Sequence, residues 1–259
     1  MQEKEQYLLA AKLRTFQRKI ESAIEIIRDA LQTSTNPVLS FSAGKDSIVL
    51  LDLAVQAGFR GKLVFFKYGI VTDIETPISN IELLKYYAAL YGLQYDVLNC
   101  LGEVDCWERC GRFTLIPETE EERYVFRETN YDYVKQSAAY EAQNGIDLNI
   151  IGMRKAESNA RRMMLVKKGA VYRTKQRQSA TCCPLLDFSD IDIWSYIYSR
   201  NLKYLSIYDY PYMDRKKIRN ELTMLYNYNV LRNGMMFHFK KMYPEFFAWL
   251  RRRWGDVMI

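Results

Sequence analysis

Apolar residues recur at helical spacing in the first part of the chain and then give way to short apolar runs. Between residues 7 and 31 every third or fourth position is apolar, which predicts one amphipathic helix packed on the rest of the protein. These positions are Leu9, Leu13, Phe16, Ile20, Ala23, Ile27 and Leu31. The polar segment 33–37, which ends in proline, is expected to end this helix and lead into the first strand.

Four later runs have the apolar character of buried strands, and they begin at Val38, Leu63, Gln94 and Leu148. Helical patterns separate them over residues 46–57, 77–91 and 131–144, and a glycine follows each pattern. Strands that alternate with helices in this way favour parallel pairing with right-handed crossovers. The predicted fold class is therefore α/β, a Rossmann-like parallel sheet with helices on both faces.

The remaining patterns predict how the chain divides. In residues 99–128 the apolar positions recur at neither helical nor strand spacing, so we expect an insertion or cap over the carboxyl edge of the sheet. Ser189 or Asp190 is expected to cap a further helix. The predicted parts are an N-terminal helix packed on the core over 1–36, an α/β domain over 37–205, and a helical C-terminal extension rich in basic and aromatic residues over 206–259.

Composition narrows the class of protein only modestly. The net charge of +6 permits an anionic partner but does not require nucleic acid, because a single nucleotide site also needs local positive charge. No stretch approaches the roughly 20 apolar residues of a membrane span, and no apolar signal segment follows the charged start of the chain. We therefore expect a cytoplasmic protein without membrane contact. Five cysteines, an odd number, argue against a disulfide framework.

The stretch 38–51 carries the clearest candidate chemistry. A short apolar strand passes through a small polar turn into an amphipathic helix, and such a helix start offers free N–H groups and a positive dipole end to an anion. Lys45 can neutralise phosphate charge. Asp46 can hold Mg²⁺ or orient a nucleophile, or it can simply complement the helix dipole. The candidate anion-binding residues are Ser40, Ser42, Ala43, Gly44, Lys45, Asp46 and Ser47.

A second stretch begins where the fourth predicted strand ends. From Arg154 to Arg177 basic residues are frequent and Glu157 is the only acid. A basic run is usually a solvated surface, but this one starts at the carboxyl end of a buried strand, where open α/β sheets bind ligands. Arg154 and Arg161 are therefore candidate phosphate clamps, since arginine can bind phosphate with two hydrogen bonds. For Arg162, Lys167 and Lys168 the solvated surface is at least as good an explanation.

These two stretches resemble motifs of a known group. The string Ser40–Ser47 resembles the serine-led G-G-K-D-S turn of the PP-loop ATP pyrophosphatases, with Ala43 in place of the first glycine. It differs from the common P-loop, which would need glycine at Leu39 and Ser or Thr at Asp46. The resemblance implies an adenine nucleotide α-hydrolase-like fold and cleavage of ATP between its α and β phosphates.

Two further motifs resemble the phosphoadenosine-phosphosulfate reductase branch of that group. One is G-x-R-x-x-E-S-x-x-R, and the other is a P-L segment that leads to D-I-W-S-Y-I and then to I-Y-D, with Phe188 where the branch often has Trp. The resemblance implies ATP and Mg²⁺ as cofactors, Lys45, Asp46 and Arg154 as catalytic residues, and Asp46 as the metal ligand. It adds five residues to the nucleotide-binding set: Gly152, Arg154, Glu157, Ser158 and Arg161.

The chain also departs from the reductases of this branch. Lys67-Tyr68-Gly69 stands where they have Asp-Thr-Gly, and no cysteine follows Cys183, whereas they carry a catalytic cysteine near the C-terminus. The absence of any C-x-x-C disfavours an iron–sulfur cluster, although convergence of the five cysteines in the fold stays an alternative: Cys100, Cys106, Cys110, Cys182 and Cys183. Cys182 and Cys183 could carry sulfur as a persulfide, or one could pack in the core while the other is idle.

Three functions remain open at this stage. The leading hypothesis is an ATP-dependent enzyme that adenylylates an acceptor, in sulfur transfer or in DNA phosphorothioation. The alternatives are a sulfonucleotide reductase and a non-catalytic nucleotide-sensing subunit. Expected partners are a sulfur-donor protein resembling a cysteine desulfurase, another subunit of a complex, or a nucleic acid. Nucleic acid is indicated by aromatic and basic residues interleaved over 237–241 and 251–254, although these aromatics could instead pack a helical cap.

Overall fold

A mostly parallel sheet of six strands forms the centre of the computed structural model, which describes residues 3–68, 79–113, 117–174, 177–211 and 235–255. The strand order is β3-β2-β1-β4-β6-β5. Strand β1 pairs in parallel with β2 and β4, β4 pairs in parallel with β6, and β5 runs antiparallel at the edge. The strands are β1 (Pro37–Ser40), β2 (Lys62–Tyr68), β3 (Tyr95–Cys100), β4 (Leu148–Ile150), β5 (Val171–Tyr172) and β6 (Ala180–Cys182).

Ten helices are described along the same ranges, and none is long and apolar enough to cross a membrane. They are α1 (Glu3–Ala10), α2 (Arg14–Gln32), α3 (Lys45–Gln56), α4 (Ser79–Tyr91), α5 (Glu103–Cys110), α6 (Glu120–Gln143), α7 (Asn159–Lys168), α8 (Asp190–Ser199), α9 (Met235–Met242) and α10 (Pro244–Trp254). Short 3₁₀ turns cover Lys155–Glu157 and Ser206–Asp209. The predicted α/β class, with a parallel sheet and helices around it, is confirmed.

The core lies around β1 and α3. Leu39 of β1 is fully buried between Leu63 of β2 and Ile150 of β4, which are its partners in the sheet. Helix α3 buries almost every residue of its length, so it behaves as an internal helix rather than an amphipathic one. A strand and a helix that are both enclosed hold the turn between them in a fixed place.

Contacts divide the chain into two units. The first comprises residues 1–65, 83–96 and 138–204, and the second comprises 66–82, 97–137 and 205–259. The first unit contains the turn after β1 and the segment after β4. In the second unit Trp254 packs edge-on against Trp107, with ring centroids 5.5 Å apart. The division at residues 36 and 205 drawn from the sequence stays a proposal.

The prediction of one continuous N-terminal helix over residues 7–31 is wrong. Helix α1 ends at Ala10, and α2 begins after Leu13, whose backbone is extended. Neither glycine nor proline marks this break. On the near side of the break, Tyr7 of α1 stacks on Tyr198 of α8 with ring centroids 5.6 Å apart, a tertiary contact that holds α1 against α8.

Other elements were missed or mistaken. Strands β5 and β6 were not predicted, since each has only two or three residues. Residues 99–128 contain α5 and the first part of α6, which begins at Glu120 rather than at residue 131. Glu122 stabilises this start by accepting hydrogen bonds from the backbone N–H groups of Glu118 and Thr119. The predicted helix over 77–91 has its first two residues outside the described residues, and the structure has α4 from Ser79 to Tyr91.

Candidate functional site

The turn after β1 has a tightly bonded backbone. Ala43 adopts a left-handed conformation with φ 60° and is fully buried, so the position suits the glycine that the motif usually has. Gly44 is the N-cap of α3 and donates its N–H to Ser42 Oγ at 3.3 Å. Ser47 Oγ donates to the Gly44 carbonyl at 2.9 Å. These bonds hold the start of α3, whose first N–H groups have no partner within the helix.

Lys45 is the first residue of α3, and its side chain is only 4% exposed. Its Nζ lies 2.9 Å from Asp46 Oδ2 and 3.4 Å from Asp190 Oδ1. A buried ammonium is costly unless it is paired, so these two carboxylates stabilise Lys45 in this position. Lys45 is therefore a fixed charge of the site rather than a solvated surface lysine.

Arg154 reaches the same place from the segment that follows β4. Its side chain is 3% exposed, and its Nε lies 2.5 Å from Asp46 Oδ1. Nη2 donates to Asp190 Oδ1 at 2.9 Å, and Nη1 donates to the Phe188 carbonyl at 3.2 Å. Gly152 packs beside Asp46, since a Cβ added there would be in ordinary van der Waals contact, 3.5 Å, with the backbone carbonyl of that residue.

The two sequence motifs thus meet in one group of four charges. Burial lowers the pKa of Arg154, but the neighbouring Asp46, Asp190 and Glu157 carboxylates raise it more, so the net shift is upward and the guanidinium stays charged. Asp46 and Asp190 each contact both Lys45 and Arg154, and the two acids balance the two bases. In this arrangement the cations are already neutralised from within the protein.

Asp190 belongs to this group although sequence reasoning treated it only as a helix cap. Ser189 caps α8, with its Oγ accepting the N–H of Asp192 at 3.2 Å, which leaves the Asp190 side chain for Lys45 and Arg154. The sequence offers only a weak signal that Asp190 belongs to the site, because acids are common in the first turn of any helix. Only the fold shows that the first turn of α8 lies beside the start of α3.

Other residues of the predicted set have mainly local partners. Ser40 Oγ donates to Asn149 Oδ1 on β4 at 2.9 Å. Glu157 accepts the backbone N–H of Arg154 at 2.9 Å and pairs with the side chain of Arg161. Ser158 is the N-cap of α7. These contacts shape the edge of the site, whereas the four-charge group forms its centre.

A buried polar chain that sequence reasoning missed lies behind Ser40. Asn149 donates to Glu141 at 2.9 Å, and Glu141 is also bonded to Arg177 and Ser179. Glu141 sits near the end of α6, a helix rich in acidic residues, so nothing in the sequence distinguished it. These hydrogen bonds fix the orientation of the Asn149 amide, and the amide in turn fixes the hydroxyl of Ser40.

The two adjacent cysteines are both fully buried. Burial raises the pKa of Cys182 and of Cys183 to about 12, so both thiols are neutral at physiological pH. Neither has the exposed thiolate that persulfide or reductive chemistry uses. Both pack in the core, and neither is idle at the surface.

Oxygen ligands for a metal are sparse near the turn. Across the described ranges no group of three or more His, Cys, Asp or Glu side chains could hold a metal ion. Asp46, with a side chain 22% exposed, is nevertheless compatible with Mg²⁺, which proteins commonly hold through one or two carboxylates together with substrate phosphates and water. Asp46 Oδ2 accepts a hydrogen bond from Lys45 and Oδ1 forms an ion pair with Arg154, so a cation would compete with these bases.

The C-terminal basic residues belong to the second unit. Arg253 makes two bonds to Glu108, at 2.9 and 2.6 Å, and Trp254 also packs against Trp249. Arg251 and Arg252 are exposed and line a cavity of about 400 Å³ together with Ala248 and Gly255. The packing of Trp254 supports the helical-cap explanation for that residue, while Arg251 and Arg252 remain accessible.

A parallel sheet whose first strand turns through Gly-Lys-Asp-Ser into a buried helix, beside a paired arginine from the fourth strand, defines the PP-loop class. The family model described as "Phosphoadenosine phosphosulfate reductase domain" matches residues 36–214, more than half of the chain. The protein belongs to this family. The resemblance drawn from the sequence motifs is thereby confirmed.

Curated relatives carry the name sulfate adenylyltransferase subunit 2. The protein from Shewanella frigidimarina is 24% identical over an alignment of 208 positions that covers 72% of this chain and 64% of the relative. The one from Vibrio vulnificus is 27% identical over 207 residues, with the same coverage. The chain thus spans slightly less than two thirds of the length of these relatives.

A solved structure supports the fold alone. Phosphoadenylyl-sulfate reductase from Candida auris, in a phosphate complex, aligns with a TM-score of 0.52 and 19% sequence identity. The alignment covers 73% of this chain and 84% of the reductase.

Proposed function

We propose that this protein binds ATP at the turn after β1 and uses it to adenylylate an acceptor. An acceptor oxygen attacks the α-phosphorus, the bond to the bridging oxygen of the β-phosphate breaks, and pyrophosphate leaves. The observation that carries the proposal is the convergence of buried Lys45 and Arg154 beside the N-terminus of α3. Membership of the family and the similarity to sulfate adenylyltransferase subunit 2 support it.

The residues have distinct parts in this proposal. The N-terminal N–H groups of α3 and Lys45 bind the pyrophosphate portion of ATP, since a helix start and a fixed ammonium both favour anions. Arg154 orients Asp46 and stabilises charge that develops on the α-phosphate. The nucleotide-binding set comprises Ser40, Ser42, Ala43, Gly44, Lys45, Asp46, Ser47, Gly152, Arg154, Glu157, Ser158 and Arg161.

Magnesium fits the proposal through Asp46. Mg²⁺ bound there together with phosphate oxygens would neutralise negative charge on the leaving pyrophosphate. The protein supplies the carboxylate and holds it in place through Arg154.

The acceptor and the partner follow from the same proposal. We infer that the acceptor comes from sulfur metabolism, because the relatives are named for sulfate adenylylation. A second subunit or a sulfur-donor protein would then deliver or receive the activated group. Nucleic acid is a further candidate acceptor, supported by the exposed Arg251 and Arg252.

The test is release of pyrophosphate from ATP and Mg²⁺ in the presence of sulfate, a DNA duplex or a candidate partner protein. We expect release with one of these acceptors and none with an ATP analogue that has methylene in place of the α–β bridging oxygen. The analogue should still bind. Failure of both ATP and the analogue to bind in calorimetry would sink the proposal.

Two alternatives are separated by different measurements. A sulfonucleotide reductase would release sulfite with thioredoxin, and Cys182→Ser or Cys183→Ser would abolish it; the burial of both thiols argues against this activity. A nucleotide-sensing subunit would be stabilised by ATP yet release no pyrophosphate, even with its partner present. Nucleotide binding without turnover across all acceptors would favour that alternative.

A further inference from the structure

Asp190 holds a position in the site that a ligand oxygen would also suit. A single atom, Oδ1, lies 2.9 Å from Arg154 Nη2 and 3.4 Å from Lys45 Nζ. The two acids differ in this respect, because Asp46 uses one oxygen for each base. The point at which both cations converge is therefore occupied by one carboxylate oxygen.

The charges around Asp190 determine how strongly the site can bind an anion. Lys45 and Arg154 are buried, while the Asp190 side chain is 33% exposed and so faces solvent more than either base. With both acids in place the group is neutral, and an incoming anion gains little from two bases that are already paired. An anion that displaced Asp190 would meet two desolvated cations, where charge-assisted hydrogen bonds are strong.

We propose that Asp190 acts as an internal stand-in for a phosphate oxygen, and that binding of a polyphosphate displaces its carboxylate from Lys45 and Arg154. Asp190 is then a positioning residue: it holds both cations in place before the nucleotide arrives. It also weakens the binding of simple anions, which makes the site selective for ligands with further contacts at the start of α3. The inference rests on the proposed function, since it concerns the same phosphate site.

The test compares pyrophosphate affinity between variants by calorimetry at fixed ionic strength. Asp190→Asn removes the competing charge, and we expect pyrophosphate to bind about tenfold more tightly, which is about 1.4 kcal/mol. Asp187→Asn is the matched control, because Asp187 lies in the same segment but is exposed and pairs with Lys155. The control should leave the affinity unchanged. A merely structural role for Asp190 predicts weaker binding in Asp190→Asn, and weaker or unchanged binding by a folded variant overturns the proposal.

A measurement on the unmodified protein covers the case in which Asp190→Asn does not fold. Zero-length carbodiimide coupling should join Lys45 to Asp190 in the free protein, and pyrophosphate should suppress the Lys45–Asp190 product. Persistence of that product at saturating pyrophosphate would contradict the displacement. If the unmodified protein bound neither pyrophosphate nor ATP, the proposed function itself would fail, which is a different result from binding without displacement.

Discussion

Arg154 Nε lies 2.5 Å from Asp46 Oδ1, and this ion pair joins the segment after β4 to the start of α3. The residues are far apart in sequence but adjacent in space, because β1 and β4 are neighbours in the sheet and both end at its carboxyl edge. The contact explains why two motifs recognised separately form one site.

Loss of Arg154 should destabilise the protein as well as impair the site. Arg154→Ala leaves Asp46 and Asp190 with Lys45 as their remaining base, and breaking a buried ion pair typically costs about 3–5 kcal/mol. We expect Arg154→Ala to lower the free energy of unfolding by about 3 kcal/mol, the lower end of that range, because both acids are partly exposed. The measurement is the urea midpoint at an unchanged m-value.

Arg123→Ala is the control for that experiment. Arg123 forms a pair with Glu120 in which both side chains are largely exposed, so its loss should cost less than about 1 kcal/mol. Equal costs for Arg154→Ala and Arg123→Ala would contradict a buried, structurally essential pair.

Because Ala43 has a left-handed backbone, we expect its replacement by glycine to affect stability less than a glycine substitution elsewhere in the core. Ala54 lies in the interior of α3 and is equally buried, so Ala54→Gly should cost about 1–2 kcal/mol from lost helix propensity and a lost methyl group. Ala43→Gly loses the same methyl but relieves a positive φ that costs alanine about 1–2 kcal/mol. We expect Ala43→Gly to be neutral within about 0.5 kcal/mol in thermal unfolding. A cost equal to that of Ala54→Gly would show that Ala43 is unstrained.

The buried thiols predict slow alkylation. Because burial raises the pKa of Cys182 and Cys183 to about 12, only about one thiol in a thousand is ionised at pH 9, whereas an ordinary cysteine is largely thiolate there. Iodoacetamide should label both residues slowly in the folded protein, with a rate that rises up to about pH 12. In urea both should react as ordinary cysteines. Rapid labelling of either thiol in the folded protein at pH 7–8 would revive the reductase and persulfide hypotheses.

The raised pKa values of Cys182 and Cys183 also predict how the stability of the protein depends on pH. In the unfolded chain these cysteines ionise near pH 8.5, whereas in the folded protein they stay protonated to about pH 12. Their contribution to the free energy of unfolding is therefore complete below about pH 8.5 and is lost as pH rises towards 12.

Much of the fold could be predicted because local signals agreed with it. The turn from β1 into α3 combines an apolar strand, a small polar turn and a helix start, and the structure has all three at the expected positions. The elements that were missed lack such signals. Strand β5 has two residues, and the break after α1 is marked by neither glycine nor proline, while the contact of Tyr7 with Tyr198 is one that no local pattern encodes.

The site was predicted less completely than the fold. Motif residues such as Lys45 and Arg154 stood out because their spacing matched a recognisable string. Asp190 and Glu141 did not, since an acid in a first helical turn or on a polar helix is commonplace. Their importance depends on which elements the sheet brings together, and Glu141 becomes distinctive only when it is seen buried against Asn149.

Nucleic-acid binding predicts a salt dependence that two residues should change. If Arg251 and Arg252 contact phosphates, the logarithm of the DNA affinity should fall by about 0.9 per neutralised phosphate for each tenfold rise in salt. Arg251→Ala combined with Arg252→Ala should flatten that slope and leave ATP affinity intact. Arg253→Ala is the control, because Glu108 already pairs with Arg253. Absence of DNA binding at low salt, with ATP and partner proteins present, would remove nucleic acid as an acceptor.

The affinity of ATP for the protein and for Lys45→Met tests the central claim most directly. Lys45 is buried at the start of α3, and the loss of its charge-assisted bonds to phosphate should weaken ATP binding by about 10- to 100-fold in calorimetry. Lys62→Met, which removes a half-exposed lysine paired with Asp96, should bind ATP as the unmodified protein does. Equal ATP affinity in folded Lys45→Met and Lys62→Met, or no ATP binding by the unmodified protein, would contradict the account.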